Sequence, residues 1–180
     1  MIIYHIRADK LFNPAIRCRP GSPHIPERWA TGKNMSKRAD IATERFLSGY
    51  NCAQSILYAF REEGDLTEET ALKIACGFGA GMARKEEVCG AITGGILVLG
   101  LRYGRGGNED RSAMELTYLK TRELMDLFSK KHGTYICRKL LDGCDLTTEE
   151  GQKHFKENEL LKMTCTPCVQ SVVEILECIL

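Results

Sequence analysis

The sequence predicts an all-α fold, a compact single-domain bundle of about six to eight helices. Its length of 180 residues fits one domain. Beyond residue 34, Glu, Lys, Leu, Ala and Met dominate, and the alternation of β-branched residues that is typical of strands is scarce. Apolar residues recur instead at helical spacing, without an internal repeat or a hairpin signal.

The individual helices are predicted from N-caps, apolar spacing and glycine stops. The predicted segments are 36–47, 51–64, 67–76, 89–103, 109–131, 134–141, 148–158 and 167–178. Segment 89–103 is almost wholly apolar, so we expect it to be the buried central helix. In segment 109–131 we expect one continuous face to pack on the core, formed by Met114, Tyr118, Thr121, Met125 and Phe128.

The first 34 residues differ from the rest of the chain. They hold four of the five prolines and the only tryptophan, Trp29, and they show neither a helical nor a strand period. We therefore expect residues 1–34 to be an irregular or disordered extension, and residues 35–180 to be a cysteine-rich helical domain that starts at Met35. The alternative is a short arm that docks through Trp29.

Charge and hydropathy exclude several classes of protein. The chain has 25 Lys and Arg against 24 Asp and Glu, and a net charge of +1 gives no basic excess for a nucleic-acid partner. No run reaches the roughly 18 apolar residues of a membrane helix, so we expect no membrane insertion. Charged residues interrupt the N-terminal apolar run before a secretory signal could form, which predicts a cytoplasmic protein with reduced thiols.

Four of the nine cysteines share one placement, in or next to the first turn of a predicted helix: Cys52, Cys89, Cys137 and Cys165. The unpaired N–H groups and the dipole at a helix start stabilise a thiolate, which is the form that reacts and binds metals. The alternative is that cysteine packs as a small hydrophobe. We favour that alternative for Cys144 and Cys178.

Small residues follow Cys89 along the predicted central helix. Gly90, Ala91 and Gly94 remove side-chain bulk from adjacent turns, so that another backbone, or a cofactor at the site, can approach closely. Close helix packing and space for a cofactor are compatible explanations. The glycine-rich loop 77–81 is expected to be a connector with positive φ angles, because it lacks the dinucleotide and P-loop patterns. We expect no nucleotide.

An ordered set of motifs carries a family resemblance. The motifs are Gly49-Tyr50-Asn51-Cys52-Ala53-Gln54, Gly77-Phe78-Gly79, Cys89-Gly90-Ala91 with Gly94, Phe128 with Ile136-Cys137-Arg138-Lys139-Leu140, and Cys165 before Val169. Together they resemble the C_GCAxxG_C_C family of small, cysteine-rich bacterial and archaeal proteins, which is named as redox-active. The resemblance covers about 39–176 of the chain. Ala80 departs from it, since the loop of the family often has glycine there.

The resemblance implies a site. It assigns the four characteristic cysteines to Cys52, Cys89, Cys137 and Cys165, with Cys168 as a substitute for Cys165. The family is similar to part of the split-Soret cytochromes, which implies an iron–sulfur cluster, [2Fe–2S], as one candidate cofactor. Sulfur ligands without histidine would also suit zinc. Val169 follows the Cys165–Cys168 C-x-x-C motif where haem attachment needs histidine, so we expect no haem.

Three functions remain open from the sequence. In the first, the four cysteines are redox thiols that converge to bind a metal or an iron–sulfur cluster for electron transfer or redox sensing. In the second, the chain is a metal-free thiol–disulfide oxidoreductase. In the third, it is a non-catalytic helical subunit that binds a partner. Whether it is an enzyme stays open; we expect a redox partner protein, and a homo-oligomer is compatible with the sequence.

Overall fold

A computed structural model describes residues 36–180, and its regular structure is helical, which confirms the all-α prediction. The predicted extension 1–34 lies outside the described residues. Between residues 36 and 180 there is no β-strand, and the β-type contact there is an isolated antiparallel bridge between Val88 and Ile136. None of the helices in this range has both the length and the apolar content that crossing a membrane requires.

Helices follow one another along the chain with short connections. In chain order they are α1 (Lys37–Leu47), α2 (Cys52–Ala59), α3 (Glu68–Ala75), α4 (Gly90–Tyr103), α5 (Arg111–His132), α6 (Cys137–Leu140), α7 (Glu149–Glu157) and α8 (Thr166–Ile179). A separate 3₁₀ turn at Arg61–Gly64 follows α2. The second helix therefore ends earlier than the predicted segment 51–64.

Side-chain caps fix most helix starts where the sequence predicts them. In each case a side-chain oxygen accepts a hydrogen bond from a backbone N–H of the first turn, a group that has no partner within the helix. The capping residues are Ser36, Asn51, Thr67, Asp110 and Thr148. Helices α4, α6 and α8 begin without a side-chain cap. The predicted cap Thr134 accepts instead from the N–H of Ile136 at 3.1 Å, and α6 begins at Cys137 without a side-chain cap.

Helix α4 lies at the centre of the bundle, as its apolar sequence predicts. It contacts α2, α5 and α8, and most of its first turns are buried. The close approach to α2 occurs at Gly94. A Cβ atom added there would lie 2.9 Å from both the carbonyl oxygen of Ala53 and Cβ of Ile56. The missing side chain therefore sets the distance between these two helices.

The buried face of α5 differs from the predicted one. Tyr118 is 51% exposed, whereas the fully buried side chains of α5 are Leu124 and Phe128. These two are four residues apart and form the stripe that packs on α4 and α8. The predicted face was wrong at Tyr118, because the buried stripe of α5 passes through Leu124, which the predicted face did not include.

A left-handed stretch of backbone connects α3 to α4. The φ angles of Ala80, Met82, Ala83, Arg84 and Glu86 lie between 51° and 66°. The prediction of positive φ angles in this loop is confirmed at Gly81, but most of the left-handed residues carry a side chain. Each such residue costs of the order of 1 kcal/mol, so the surrounding contacts must hold the stretch in place.

We predict that Gly94→Ala and Gly100→Ala have opposite effects on stability. The methyl group at position 94 meets the backbone of α2 and should lower the free energy of unfolding by about 1–3 kcal/mol. Position 100 lies on the same helix and has no atom within 4 Å of an added Cβ. There alanine should raise the free energy of unfolding by about 0.5–1 kcal/mol through its better helix propensity. Urea unfolding measures both; equal effects would contradict the close contact of α2 and α4.

Candidate thiol site

A cavity of about 190 Å³ brings five cysteines together. The four predicted site residues, Cys52, Cys89, Cys137 and Cys165, all line it, and Cys168 does so as well. The remaining wall is largely aliphatic and aromatic, and no described lining residue is charged. The five sulfurs therefore share a low-polarity space, in which a negative charge is stabilised only by hydrogen bonds or by a bound cation.

Two backbone segments place Cys89 beside Cys137. The N–H of Cys89 donates to the carbonyl oxygen of Tyr135 at 2.8 Å, and the N–H of Cys137 donates to that of Glu87 at 2.7 Å. Together with the bridge of Val88 and Ile136, these bonds join residues that are almost 50 positions apart in the sequence. The positions of both cysteines are thus set by main-chain hydrogen bonds.

Cys52 is held against the start of α4. It is the first residue of α2, where Asn51 and Gln54 form a capping box. A Cβ atom added to Gly90 would collide with Sγ of Cys52. Gly90, Ala91 and Gly94 are buried and are not among the residues that line the cavity. Gly90 and Gly94 make room for α2, and a role of the three in cofactor binding stays a prediction.

Cys165 lies directly before α8, as predicted, but this position is not an open helix start. A π-helical turn, Leu161–Cys165, runs directly into α8, and the backbone of Cys165 is itself right-handed helical. The N–H groups near Cys165 are therefore not the unpaired donors of a normal N-terminus. Cys168 lies one turn further along α8 and is buried. Both thiols line the cavity. From the sequence, Cys168 is expected only as a substitute for Cys165.

Cys89 is the thiol most disposed to ionise. A hydrogen bond from Cys168 is the largest cause that lowers the pKa of Cys89, and the N–H groups of Ala91 and Ile92 add to it against the opposing effect of burial. Cys89 is the N-cap residue of α4, which explains the two backbone donors. The same hydrogen bond raises the pKa of Cys168, which stays protonated and donates its S–H to the Cys89 thiolate.

The other thiols of the cavity remain protonated at neutral pH. Burial, followed by repulsion from Cys89, raises the pKa of Cys52 to about 12. The pKa values of Cys137 and Cys165 are also raised, mainly by burial and then by the other cysteines of the cavity. The site thus combines one stabilised thiolate with four thiols as potential proton donors and reaction partners.

Glu86 supports the site and was not found from the sequence. Its side chain is fully buried, and Oε1 accepts a hydrogen bond from the N–H of Leu146 at 2.5 Å. Its Oε2 lies 3.2 Å from Nε of Arg138, yet it makes no hydrogen bond to any described residue. Because Arg138 follows Cys137 directly, Glu86 fastens the left-handed stretch to α6. No local pattern separates Glu86 from its exposed neighbour Glu87.

Three further described cysteines, Cys76, Cys144 and Cys178, are not among the residues that line the cavity. Sγ of Cys144 donates to the carbonyl oxygen of Gly151 at 3.2 Å, and Cys144 packs in a buried cluster with Cys137, Leu141 and Leu146, which line the cavity. Cys76 is exposed, and Cys178 lies near the end of α8. The packing role that the sequence favours for Cys144 agrees with its buried environment. Cys18 falls in the part of the chain that is not described.

Metal ligation would require the thiols to rearrange. Within residues 36–180, no three Cys, His, Asp or Glu side chains are arranged to hold a metal ion. The chemical nature of the donors nevertheless suits a thiophilic metal, since the described wall offers sulfur and no carboxylate or imidazole. In the structure, Cys168 instead has the largest effect on the pKa of Cys89, which it lowers.

Comparison with known proteins gives one match. The family model C_GCAxxG_C_C, described as "Putative redox-active protein", matches residues 50–179. The match spans more than half of the chain and contains all five cysteines of the cavity. No curated protein and no solved structure matches the chain.

We predict that Glu86→Gln destabilises the protein and that Glu87→Gln does not. The amide of glutamine either turns its NH₂ group toward the N–H of Leu146 or loses the ionic contact with Arg138. An unsatisfied buried group of this kind should cost about 1–3 kcal/mol. Glu87 is exposed, and its hydrogen bond with Cys137 is made by its backbone carbonyl oxygen, which the substitution keeps. Urea unfolding compares the two variants; similar free energies would show that the buried carboxylate has no structural role.

We predict that Cys89 reacts with iodoacetamide at lower pH than Cys165. Only the thiolate is alkylated, and a lowered pKa keeps the thiolate populated as the pH falls. Cys165 is more exposed, but its raised pKa delays ionisation to alkaline pH. Peptide-resolved mass spectrometry measures the alkylation rate of each cysteine as a function of pH. The pH at which the rate is half of its maximum does not depend on how fast iodoacetamide enters the cavity. A lower midpoint for Cys165 would contradict the assignment of the thiolate.

Proposed function

The chain belongs to the C_GCAxxG_C_C family, and on that premise we propose that it carries out thiol–disulfide redox chemistry centred on Cys89. The observation that carries the proposal is the placement of Cys89, the N-cap residue of α4, and Cys168 on the wall of one low-polarity cavity. A thiolate next to a protonated thiol in one cavity is the arrangement that a nucleophilic and a resolving cysteine require. Cys168 and the N–H groups of Ala91 and Ile92 lower the pKa of Cys89 against the opposing effect of burial.

The reaction follows from the two protonation states. The Cys89 thiolate attacks one sulfur of a disulfide, and the other sulfur leaves as a thiolate that takes up a proton. Cys168 then loses its proton and attacks the Cys89 sulfur, which releases the second thiol. The two electrons come from Cys89 and Cys168, which end as a disulfide, while the substrate disulfide becomes two thiols. The reverse sequence oxidises a dithiol.

The low-polarity wall supports this chemistry. A thiolate that is poorly solvated is a stronger nucleophile, and exclusion of water protects reactive sulfur intermediates. Hydrogen bonds from Cys168, Ala91 and Ile92 compensate for the missing solvent at Cys89. The site therefore holds the charge on one sulfur and keeps its neighbours available as protonated partners.

A second candidate is a redox centre with a bound metal or [2Fe–2S] cluster. It is favoured because burial, and then repulsion between the thiols, raises the pKa values of Cys52, Cys137 and Cys165, and a bound cation would stabilise their thiolates. The residues fit the group in donor chemistry. Cys52, Cys89, Cys137 and Cys165 would hold it, with Cys168 in place of Cys165, after turning toward a common centre. When bound, a cluster supplies one-electron transfer.

We predict that Cys89→Ser abolishes oxidant-dependent disulfide formation in the cavity, whereas Cys76→Ser leaves it intact. Serine keeps the shape of the side chain but cannot form a disulfide. Cys76 is exposed and is not among the cavity-lining residues, which makes it the matched control. Thiol counting before and after mild oxidation, with mapping of the linked peptides, measures the effect. Equal behaviour of the two variants would contradict a site centred on Cys89.

Absorbance of protein purified without oxygen, together with metal analysis, separates the two candidates. Bound iron and sulfide with visible absorbance that Cys89→Ser removes would support the cluster. Metal-free protein that forms a disulfide between Cys89 and Cys168 would support the thiol–disulfide function.

A further inference from the structure

We infer that Cys168 forms disulfides with two cysteines in turn. It first forms a disulfide with Cys89 inside the cavity, and exchange then gives a Cys165–Cys168 disulfide, which a protein dithiol can reduce. The inference rests on the proposed thiol–disulfide function and adds the route by which that function reaches a partner. The partner is defined by its chemistry, a reduced pair of cysteines on the surface of another protein.

The difference in burial between Cys89, Cys168 and Cys165 indicates that the disulfide moves from the cavity toward Cys165. Cys89 is 6% exposed and Cys168 is 2% exposed, whereas Cys165 is only partly buried. Thiol–disulfide exchange requires the attacking sulfur to approach along the axis of the disulfide, so a protein partner needs access to one of the two sulfurs. A disulfide between Cys89 and Cys168 offers it neither. A small uncharged oxidant, in contrast, can enter a cavity of about 190 Å³.

The helical path places Cys168 within reach of both partners. Cys165 and Cys168 are three residues apart on a continuous helical path, so their side chains share a face. Thr166 donates its hydroxyl to the carbonyl oxygen of Leu161 at 2.9 Å, and the ring of Pro167 fixes its own φ angle, so the turn between the two thiols is held in a helical conformation. Cys168 also lines the same cavity of about 190 Å³ as Cys89, which places both partners within one small space.

Cys52 is the other half-buried thiol of the cavity and therefore the rival exit. It belongs to α2, where the capping box and the contact with Gly90 hold it in place. It has no helical i, i+3 relation to Cys168. This difference makes Cys165 the preferred exit and Cys52 the matched control.

Each step balances. With hydrogen peroxide as the oxidant, Cys89 is oxidised to a sulfenic acid and one water forms; Cys168 then displaces a second water and makes the Cys89–Cys168 disulfide. The thiolate of Cys165 attacks Cys168, so that the Cys165–Cys168 bond forms and the Cys89 thiolate leaves. A protein dithiol attacks Cys165, its second thiol closes its own disulfide, and both cysteines return to thiols.

The test compares full-length protein with its Cys165→Ser and Cys52→Ser variants. Each is oxidised with one equivalent of hydrogen peroxide, and peptide mass spectrometry maps the disulfides. Reduced thioredoxin and 2-mercaptoethanol are then used in parallel as a protein dithiol and a small uncharged thiol. We expect Cys165→Ser to hold the Cys89–Cys168 disulfide, and thioredoxin to reduce it roughly tenfold more slowly than in the parent. With 2-mercaptoethanol the rates should agree, and thioredoxin should reduce Cys52→Ser faster than Cys165→Ser.

Several outcomes would overturn the relay. The relay fails while the proposed function stands if thioredoxin reduces Cys165→Ser at the rate of the parent, if it does not reduce the parent, or if Cys52→Ser is the slow variant. If the parent forms no disulfide at Cys89, the proposed function fails and the relay fails with it. Circular dichroism checks the fold of each variant, and Cys165→Ala replaces Cys165→Ser if the serine variant does not fold.

Discussion

The antiparallel exchange of hydrogen bonds between residues 86–89 and 135–138 is the constraint on which the thiol site depends. It ties the start of α4 to the start of α6, and so places Cys89 next to Cys137. The bonds involve main-chain groups alone, which makes the arrangement insensitive to most side-chain changes. Glu86 extends the same contact, because its carboxylate reaches the N–H of Leu146 and the guanidinium of Arg138.

The left-handed stretch is what allows this exchange. The backbone N–H of Glu86 returns to the carbonyl oxygen of Ala80, and that of Glu87 returns to the oxygen of Gly81. This tight reversal lies between the end of α3 at Ala75 and the start of α4 at Gly90, and it brings Glu86 and Glu87 to α6. Its cost in backbone strain is offset where Glu86 is buried and bonded. Glu86, three residues before Cys89, thus combines a left-handed backbone with a buried carboxylate. Backbone strain of this kind is typical of functional sites.

The sequence predicts the structural features that depend on residues close together in the chain. Asn51 caps α2 and the apolar run after Cys89 forms the central helix, as expected from capping and periodicity. Helix-start positions were also sufficient to bring Cys52, Cys89 and Cys137 to one cavity. Burial of Glu86 and the contact of Cys168 with Cys89 could not be predicted, because both depend on contacts between distant parts of the chain. The exposure of Tyr118 was not predicted for the same reason. The spacing of apolar residues predicts which side chains share a helix face, but not which elements of the fold cover that face.

The electrostatics of the cavity connect the two candidate functions. A low-polarity wall tolerates one thiolate when hydrogen bonds stabilise it, and each further thiolate meets both desolvation and repulsion from the first. Two events remove this penalty. Formation of a disulfide replaces two ionisable sulfurs with a neutral bond, and binding of a cation neutralises several thiolates together. Which event prevails depends on whether the sulfurs face one another or a common centre. The placement of Cys89 and Cys168 on the wall of one cavity, with Cys168 lowering the pKa of Cys89, favours the first.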